Sequence, residues 1–569
     1  MFNLIKVRIS ILALGFAFLF LPLLVFADTL GQEASFNIDS SYDLRGREET
    51  VGSLQKIGDQ SYFYVDREWW RGLTAAKRIS LEVAIHDLAA EFDRKIYPGL
   101  TSVFGSEPSP GVDGDERITV LIHPMIYEAG GYFNSGDLYF KLQNPGSNER
   151  EMVYLNSQHL EGGDVKAFLA HEFTHLITAN QKDLLRGVIE ETWLNEARAE
   201  YSSTILGYDA VYKGSNLERR VRDFLTRPSV SLVEWLNRKE GYGAVNLFAQ
   251  YLVDHYGRKI LVDSLQSDKT GIESINLVLA ENNHNKDFTQ VFAEWAVALL
   301  ANDCSLGDRY CYRNEHLKDF RITPTMYYLP RTETIMSSYH NSAYWAANWH
   351  RLIGGGSNLF LKFEGASSVE FSVPYLLCDL GNNCSVEFLT LNEGKGEISI
   401  LEFSSKYSSL TIIPFIHGKV SGFNGQERSF SFSWQATIED KTAGEKEAEL
   451  IIQLQAQIAE LRRQIAEYQM RISAILGNPA SSQGFDVDLY PGLTNSAQVR
   501  SLQEFLISQG TDIYPEGLVT GNFLSLTQLA VIRFQEKYAS EILSPLGLGR
   551  GTGYVGQATR TKINSLISQ

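Results

Sequence analysis

The sequence predicts a multidomain α+β protein, and three observations support this class. The chain has 569 residues, which corresponds to roughly three to five domains of ordinary size. Short strand patterns come first, over residues 28–160, and helical patterns follow over residues 164–302. Strands followed by helices are typical of an α+β domain, and a second run of strand patterns begins near residue 320.

The charge balance excludes one large class of function. Lys and Arg number 51 against 68 Asp and Glu, which gives a formal net charge of −17. Because nucleic-acid binders carry basic surfaces, nucleic acid is not expected to be a partner of this chain. The apolar content of 44% and the charged content of 21% are ordinary for globular proteins and exclude disorder of the whole chain.

Residues 1–27 have the pattern of a secretory signal peptide. Lys6 and Arg8 precede an apolar run, residues 9–26, and Val25-Phe26-Ala27 places small residues at −3 and −1 of a cut before Asp28. The run of 18 residues is long for a signal peptide, so an uncleaved membrane anchor remains the alternative. The pattern predicts a secreted protein, extracellular or associated with a cell envelope.

The four cysteines form two close pairs, Cys304 with Cys311 and Cys378 with Cys384. Export makes disulfide bonds available, and each pair would close a short loop. Neither pair has further His or Cys residues nearby at zinc spacing. We therefore expect two structural disulfides, with a metal or redox role as the alternative.

The first folded domain is predicted over residues 28–319. The turn Gly58-Asp59-Gln60 joins two strands, and a long helix ends before Pro98-Gly99. Nearly all of residues 164–302 has helical periodicity. Before residue 160 the predicted strands are 49–57, 61–65, 117–123, 137–142 and 151–155, and the predicted helix is 75–96.

The second domain is predicted over residues 320–440, where period-two patterning returns. Short strands separated by turns are typical of a β-sandwich. The predicted strands are 358–363, 369–373, 385–391, 397–403, 410–416 and 429–437.

A third pattern covers residues 445–476, where apolar residues repeat every seven positions and a second set follows the first by three. This a/d heptad pattern predicts a coiled coil, and a helix lying on the preceding domain is the alternative. The composition of residues 477–489 predicts a linker, and residues 490–569 are expected to form a small terminal domain. The first set is Ile451, Ile458, Ile465 and Ile472, and the second is Leu454, Leu461, Tyr468 and Ile475.

The motif that carries chemistry is His171-Glu172-Phe173-Thr174-His175, an H-E-x-x-H sequence. On a helix, residues i and i+4 share a face, so both imidazoles can bind one metal ion. Glu172 then projects beside a water molecule on that metal. The alternative is an accidental surface helix with two histidines.

A second helical segment strengthens the metal interpretation. Glu196 and Glu200 are also four residues apart, on a face rich in Ala, Trp and Tyr. Buried acids on such a face need a partner or a metal ion, although a solvated acidic face is the alternative. Two His and one Glu complete a zinc site with an open fourth position, and Glu200 can accept a hydrogen bond from a ligand histidine.

These two segments resemble the gluzincin metallopeptidases, the thermolysin-like clan. The phrases A-H-E-F-T-H-L-I and W-L-N-E-A-R-A-E-Y, with E-G-Y-G further on, are similar to the hyicolysin family of secreted zinc peptidases, over roughly residues 110–300. The resemblance implies a zincin-like domain with one Zn²⁺ on His171, His175 and Glu196 and with Glu172 as general base. The acid four residues after the ligand Glu is commonly Asp in such sites and is Glu200 here.

The resemblance leaves three features open. Such sites use a further donor for the oxyanion, and Tyr201, Tyr242 and His255 are candidates by residue type and rough location. A substrate peptide could add to a sheet edge from residues 131–140 or 151–155. The run Asp113-Gly114-Asp115-Glu116 has two interpretations, a Ca²⁺ site and a plain acidic turn, and the incomplete ligand pattern favours the turn.

The terminal domain resembles the peptidoglycan-binding domain type 1, a small three-helix module. The phrases that carry the resemblance are L-Q-x-x-L, G-x-F, A-V-x-x-F-Q and G-Y-V-G-x-x-T-R, and a T-G-[NY]-[FV] unit occurs twice. Leu524 follows Phe523 where the family often has Gly. The resemblance implies peptidoglycan or another envelope glycan as the partner, and a generic helical cap is the alternative.

The leading interpretation is therefore a secreted bacterial zinc endopeptidase of protein or peptide substrates, held at the cell envelope by its terminal module. The heptad helix would be a spacer or a stalk for homo-oligomers. One alternative is a peptidase specific for cell-wall cross-link peptides. The other is a non-enzymatic wall-binding scaffold, which the intact metal motif disfavours.

Overall fold

The structure is a computed structural model that describes residues 27–331, 334–423, 425–439, 443–476 and 484–568. Residues 1–26 of the predicted signal peptide, which covers residues 1–27, and residues 477–483 of the predicted linker lie outside these ranges. The chain divides into two compact units at Asp440 and Lys441, and its several sheets and many helices make it a multidomain α+β protein. Among the described helices, none combines the length and the apolar character needed to cross a membrane.

The first unit begins with a six-stranded mixed sheet of order β1-β2-β3-β4-β6-β5. Its central strands β3, β4 and β6 run parallel and are buried along their whole length, as their continuous apolar sequences require. β5 pairs antiparallel with β6, with Gly131 opposite Leu155, and lies at the edge. The strands are β1 (Glu33–Asn37), β2 (Glu49–Ile57), β3 (Ser61–Asp66), β4 (Ile118–His123), β5 (Gly131–Phe133) and β6 (Met152–Asn156).

Ten helices complete the described part of the α+β region, and α4 packs against β5, β6 and α5. Leu169, Phe173 and Ile177 of α4 are fully buried in the main core. The helices are α1 (Arg67–Gly72), α2 (Ala75–Glu91), α3 (Tyr97–Phe104), α4 (Val165–Ala179), α5 (Thr192–Ile205), α6 (Asn216–Leu225), α7 (Lys239–Tyr256), α8 (Lys259–Leu265), α9 (Gly271–Glu281) and α10 (Phe288–Ala301).

Two local predictions in this region are wrong. The helix predicted to end before Pro98 continues through a π-turn, Phe92–Ile96, into α3, where proline at an early helical position loses no hydrogen bond. The strand predicted over residues 137–142 is instead a helical turn, Ser135–Leu138, capped by Asn134. The buried Asp137 carboxylate accepts hydrogen bonds from Asn148 N and the Tyr154 hydroxyl, and these long-range bonds fix the turn.

Residues 325–439 form two sheets that share one core, and we call this part the two-sheet region. The sheet orders are β14-β10-β17-β8 and β13-β12-β15-β9-β7, with β11 and β16 as a separate pair. Each of the six predicted strands overlaps an observed strand, while β7, β8, β9 and β12 were not predicted. The elements are β7 (Thr325–Leu329), β8 (Thr334–Ser342), β9 (His350–Gly354), β10 (Asn358–Gly365), β11 (Glu370–Ser372), β12 (Pro374–Asp379), β13 (Cys384–Phe388), β14 (Lys395–Leu401), α11 (Phe403–Lys406), β15 (Tyr407–Ile412), β16 (Phe415–His417) and β17 (Phe430–Glu439).

Both predicted disulfides are confirmed. Cys304 is bonded to Cys311, with their Cα atoms 5.1 Å apart, and Cys378 is bonded to Cys384 at 4.0 Å. The second bond links directly opposed residues of the β12–β13 hairpin. Each therefore staples a short local loop, as the spacing predicted.

The second unit contains one long helix and a small helical domain. The long helix covers the predicted heptads, and its described a/d residues from Ile451 to Tyr468 are 46–61% exposed. The small domain has its own core, which includes Phe485 and Leu489, so residues 484–489 belong to this domain and not to a linker. The helices are α12 (Ala443–Leu476), α13 (Ala497–Ser508), α14 (Ser525–Lys537), α15 (Ala539–Ile542) and α16 (Gln557–Ile567).

Candidate metal centre

The H-E-x-x-H motif lies in the middle of α4. The apolar residues of this helix pack into the core, and the remaining face presents His171 and His175 to α5. Glu196, on α5, meets both histidines. The structure therefore brings together the three residues for which the sequence predicts a shared metal ion.

The three ligand atoms have the spacing of a tetrahedral metal site. His171 Nε2 and His175 Nε2 lie 3.1 Å apart, and Glu196 Oε2 is 3.2 Å from the first and 3.6 Å from the second. Ligand atoms that are each about 2.0–2.1 Å from a tetrahedral zinc ion lie roughly 3.3 Å from one another. No other group of three His, Cys, Asp or Glu in the described ranges converges in this way.

Glu196 Oε2 provides a test of whether a metal ion fits. This oxygen is buried and makes no well-formed hydrogen bond with the described residues, and the groups that face it are Nε2 of His171 and Nε2 of His175. Two imidazole nitrogens and one carboxylate oxygen are the ligand set of many catalytic zinc sites. The residues present therefore fit a zinc ion.

A second layer of residues orients the histidines. His175 Nδ1 lies 2.9 Å from Asn195 Oδ1, and His171 Nδ1 lies 3.4 Å from Glu200 Oε1. Because each Nδ1 faces an acceptor, the proton of each neutral ring belongs on Nδ1, and Nε2 faces Glu196. This is the tautomer that a metal ligand needs.

Glu200 is fully buried and is itself held by three side chains. Arg220, Asn216 and Asn246 all donate to its carboxylate. Burial on its own would raise the pKa of Glu200, but the charges of Arg220 and His171 lower the pKa to about 2. Glu200 therefore remains an anion beside His171.

Glu172 lies against the edge strand β5. A Cβ atom added to Gly131 would come within 3.0 Å of Glu172 Cγ and within 2.5 Å of the Tyr154 carbonyl oxygen, so only glycine fits there. Glu172 is buried, and burial raises its pKa while the neighbouring His171 and His175 oppose this shift. The general-base candidate thus lies between the three candidate metal ligands and the edge strand β5.

Of the three predicted oxyanion donors, Tyr242 is the one near this centre. Its ring lies 6.4 Å from the ring of His171, and its hydroxyl donates to Asn237 Oδ1 at 2.7 Å. Tyr201 is turned about 100° from Glu200 on α5 and packs in the main core. His255 lies about 20 Å further along α7 than Tyr242 and hydrogen-bonds the Cys311 carbonyl.

Tyr42 is a residue near this centre that sequence reasoning missed. Its ring stacks on Tyr132 of β5 at 4.8 Å. Burial and the charges of Glu172 and Glu196 raise the pKa of Tyr42, and a hydrogen bond with Asn237 opposes this. Tyr42 belongs to a turn before β2 and has no spacing relation to the motif, so no sequence signal pointed to it.

The acidic turn at residues 113–116 uses its carboxylates internally. Asp113 accepts a hydrogen bond from the amide of Asp115, and Asp115 accepts bonds from the amide of Arg117 and the hydroxyl of Tyr62. These bonds occupy Asp113 Oδ1 and both carboxylate oxygens of Asp115, the pattern of an ordinary acidic turn.

Comparison with known proteins gives one informative relative, and no protein-family model matches the chain. The relative is a neutral metalloprotease. It is neutral metalloprotease ShpI of Staphylococcus hyicus, 32% identical over 216 residues. The match covers 33% of this chain and 47% of that protein, so the chain spans less than half the length of its curated relative.

Two solved structures are similar only to small parts of the chain. One is a mitogen derived from Yersinia pseudotuberculosis (10% identity, 19% of this chain and 90% of that chain, TM-score 0.14). The other is the pre-peptidase C-terminal domain of a collagenase from Bacillus anthracis (6% identity, 20% of this chain and 96% of that chain, TM-score 0.14). Scores this low carry no conclusion about fold or function.

Proposed function

We propose that this chain is a secreted zinc-dependent endopeptidase. The observation that carries the proposal is the convergence of His171, His175 and Glu196 at tetrahedral spacing, with Glu172 beside them at a strand edge. The partial similarity to a protein named as a neutral metalloprotease supports the same reaction class.

The proposed mechanism assigns one task to each residue. His171, His175 and Glu196 hold one zinc ion per chain, which when bound acts as a Lewis acid that polarises the scissile carbonyl and acidifies water. Glu172 accepts a proton from the attacking water at its carboxylate and then delivers it to the leaving amine nitrogen. Asn195 and Glu200 face Nδ1 of His175 and of His171, which leaves Nε2 as the nitrogen of each ring that would hold the metal ion.

The free edge of β5 is the proposed binding site for the substrate backbone. β5 has β6 on one side only, and Gly131 lies beside Glu172. An extended peptide added to this edge would place its carbonyl groups next to the general base. Tyr242 is the proposed oxyanion donor because its ring lies 6.4 Å from the ring of His171.

Chelation tests this function. Full-length protein from Asp28 onward should cleave casein, lose cleavage with 1,10-phenanthroline, and regain it when zinc is added back. A chain that cleaves casein equally well with the chelator present would contradict the proposal, because its chemistry would not need the metal.

We also propose that the terminal domain holds the enzyme at a bacterial cell envelope. An internal repeat supports an intact module: Gln503 binds the loop at Thr520 and Gly521, and Gln535 binds the equivalent loop 32 residues later. If residues 484–569 bind peptidoglycan, the full chain should sediment with purified sacculi and a chain ending at Leu476 should not. Equal sedimentation of both would remove this part of the proposal.

A further inference from the structure

A cavity of about 300 Å³ lies where the α+β region meets the two-sheet region. One wall is the loop that leads into α7, residues 227–241, and the other wall comes from residues 341–348 and 426–429. We call it the Glu234 cavity. Its volume suits one long side chain of a bound peptide.

The inner wall of the Glu234 cavity carries a buried carboxyl oxygen that lacks a hydrogen-bond donor in the described part of the chain. Glu234 is 7% exposed, and its Oε1 has no hydrogen-bond partner among the described residues. Glu427 lies beside it and is paired with Lys419 at 2.7 Å. The cationic lining residues Arg227 and Arg238 are exposed, so they lie at the rim.

A buried carboxylate oxygen is unfavourable unless a donor satisfies it. The backbone of Glu427 hydrogen-bonds the Glu234 carboxyl group and Lys419 acts on it by charge, yet Oε1 has no donor among the residues that the structure describes. Ser231 Oγ does not reach it, because it accepts the Glu234 amide and donates to the Tyr344 carbonyl. A cationic ligand group is the chemistry that completes this wall. Trp235 also lines the cavity and offers an aromatic face to a cation.

Two aromatic rings, those of Trp235 and Tyr242, connect the Glu234 cavity to His171 of the candidate metal centre. The ring of Trp235 packs on the ring of Tyr242 at 4.7 Å, and the ring of Tyr242 lies 6.4 Å from that of His171. Asn237, which also lines the cavity, accepts the hydrogen bond of the Tyr242 hydroxyl. These two ring spacings together equal the length of about three residues of an extended peptide, which advances about 3.3 Å per residue.

We propose that the Glu234 cavity is a specificity subsite for a lysine or arginine side chain of the substrate, with Glu234 Oε1 accepting its hydrogen bond. This assignment rests on the peptidase activity proposed above. It adds a substrate preference that the metal motif itself does not contain.

Two measurements on the zinc-loaded full chain test the subsite. In the first, quenched fluorescent peptides carry Arg or norleucine at each of three positions on either side of the cleaved bond. At one position wild type should prefer Arg at least tenfold in kcat/KM, and Glu234→Gln should reduce this ratio at least tenfold. Glu107→Gln, a change at another buried glutamate that does not line the cavity, should keep the ratio.

The second measurement does not depend on cleavage. In calorimetric titrations, argininamide should bind wild type more tightly than norleucinamide, and Glu234→Gln should lose this difference. Peptide cleavage without preference for Arg at any position would overturn the subsite and leave the peptidase intact. If no peptide is cleaved, the proposed function fails, and equal argininamide binding by wild type and Glu234→Gln would then overturn the subsite as well.

Discussion

Arg220 and Glu200 form a bidentate ion pair next to His171, one of the proposed metal ligands. Arg220 Nε donates to Glu200 Oε2 at 2.9 Å, and Arg220 Nη2 donates to Glu200 Oε1 at 2.5 Å. The same Oε1 lies 3.4 Å from His171 Nδ1. The orientation of a ligand histidine on α4 therefore depends on an arginine of α6.

Arg220→Ala should weaken zinc binding about 10–100-fold, the usual effect of removing such a supporting contact. Arg220→Lys keeps the charge but not the bidentate geometry, so its effect should be intermediate. Competition with a zinc chelator gives the affinities. Arg222→Ala, an exposed position on the same helix, is the control, and unchanged affinity in Arg220→Ala would contradict this role.

Gly131→Ala should reduce kcat/KM for casein peptides at least tenfold while zinc content stays at the wild-type level. The added Cβ would collide with the Tyr154 carbonyl and press on Glu172 Cγ, which displaces the general base but not the metal ligands. Gly163→Ala is a matched control, because a Cβ there meets nothing within 4 Å. Full activity of Gly131→Ala would show that β5 does not position Glu172.

The ionisation of Asp43 should make the free energy of unfolding depend on pH in the acid range. Burial raises the pKa of Asp43, but hydrogen bonds from the Arg47 side chain and from nearby amides outweigh this and lower the pKa to about 2. A carboxyl group with a lowered folded pKa stabilises the protein above its unfolded value, near 3.9, and loses this contribution as the pH falls towards 2.

The measurement for Asp43 is urea unfolding of metal-free protein at pH 5 and pH 3. The difference in free energy of unfolding between wild type and Asp43→Asn should shrink by roughly 1 kcal/mol over this interval. Glu68→Gln, at an exposed carboxylate, should show no such change. A difference that stays constant with pH would mean that Asp43 is not the titrating group.

The heptad helix α12 should associate with a second copy of itself. Ile451, Leu454, Ile458, Leu461 and Ile465 are 46–56% exposed at a/d spacing, which is the stripe that parallel partner helices bury. Sedimentation velocity on the full chain should therefore give an oligomer, and Ile458→Glu with Ile465→Glu should give a monomer. A monomeric wild type at micromolar concentration would contradict the coiled-coil prediction.

The features of the fold and of the candidate site that could be predicted from the sequence depend on spacing between residues close together in the chain. The i, i+4 pairs His171/His175 and Glu196/Glu200 fix which side chains share a helix face, and a short loop fixes each disulfide partner. The strands β10, β11, β13, β14 and β17 have clear period-two patterns that are bounded by turn residues.

The features that could not be predicted from the sequence depend on contacts between residues far apart in the chain. Tyr42 reaches the centre because it stacks on Tyr132, ninety residues later, and Arg220 reaches Glu200 from another helix. The turn at Ser135–Leu138 is held by Asn148 and Tyr154, which overrides its local strand pattern. Such contacts leave no periodicity in the sequence.

The most direct test of the central claim measures bound zinc and casein cleavage on the same preparations of wild type and Glu172→Gln, each beginning at Asp28. Elemental analysis should give about one zinc per chain in both proteins, because Glu172 is not a proposed ligand. Wild type should cleave casein, and Glu172→Gln should be slower by at least a thousandfold, since the general base is lost. Wild type without bound zinc, or a variant that cleaves casein at the wild-type rate, would contradict the account.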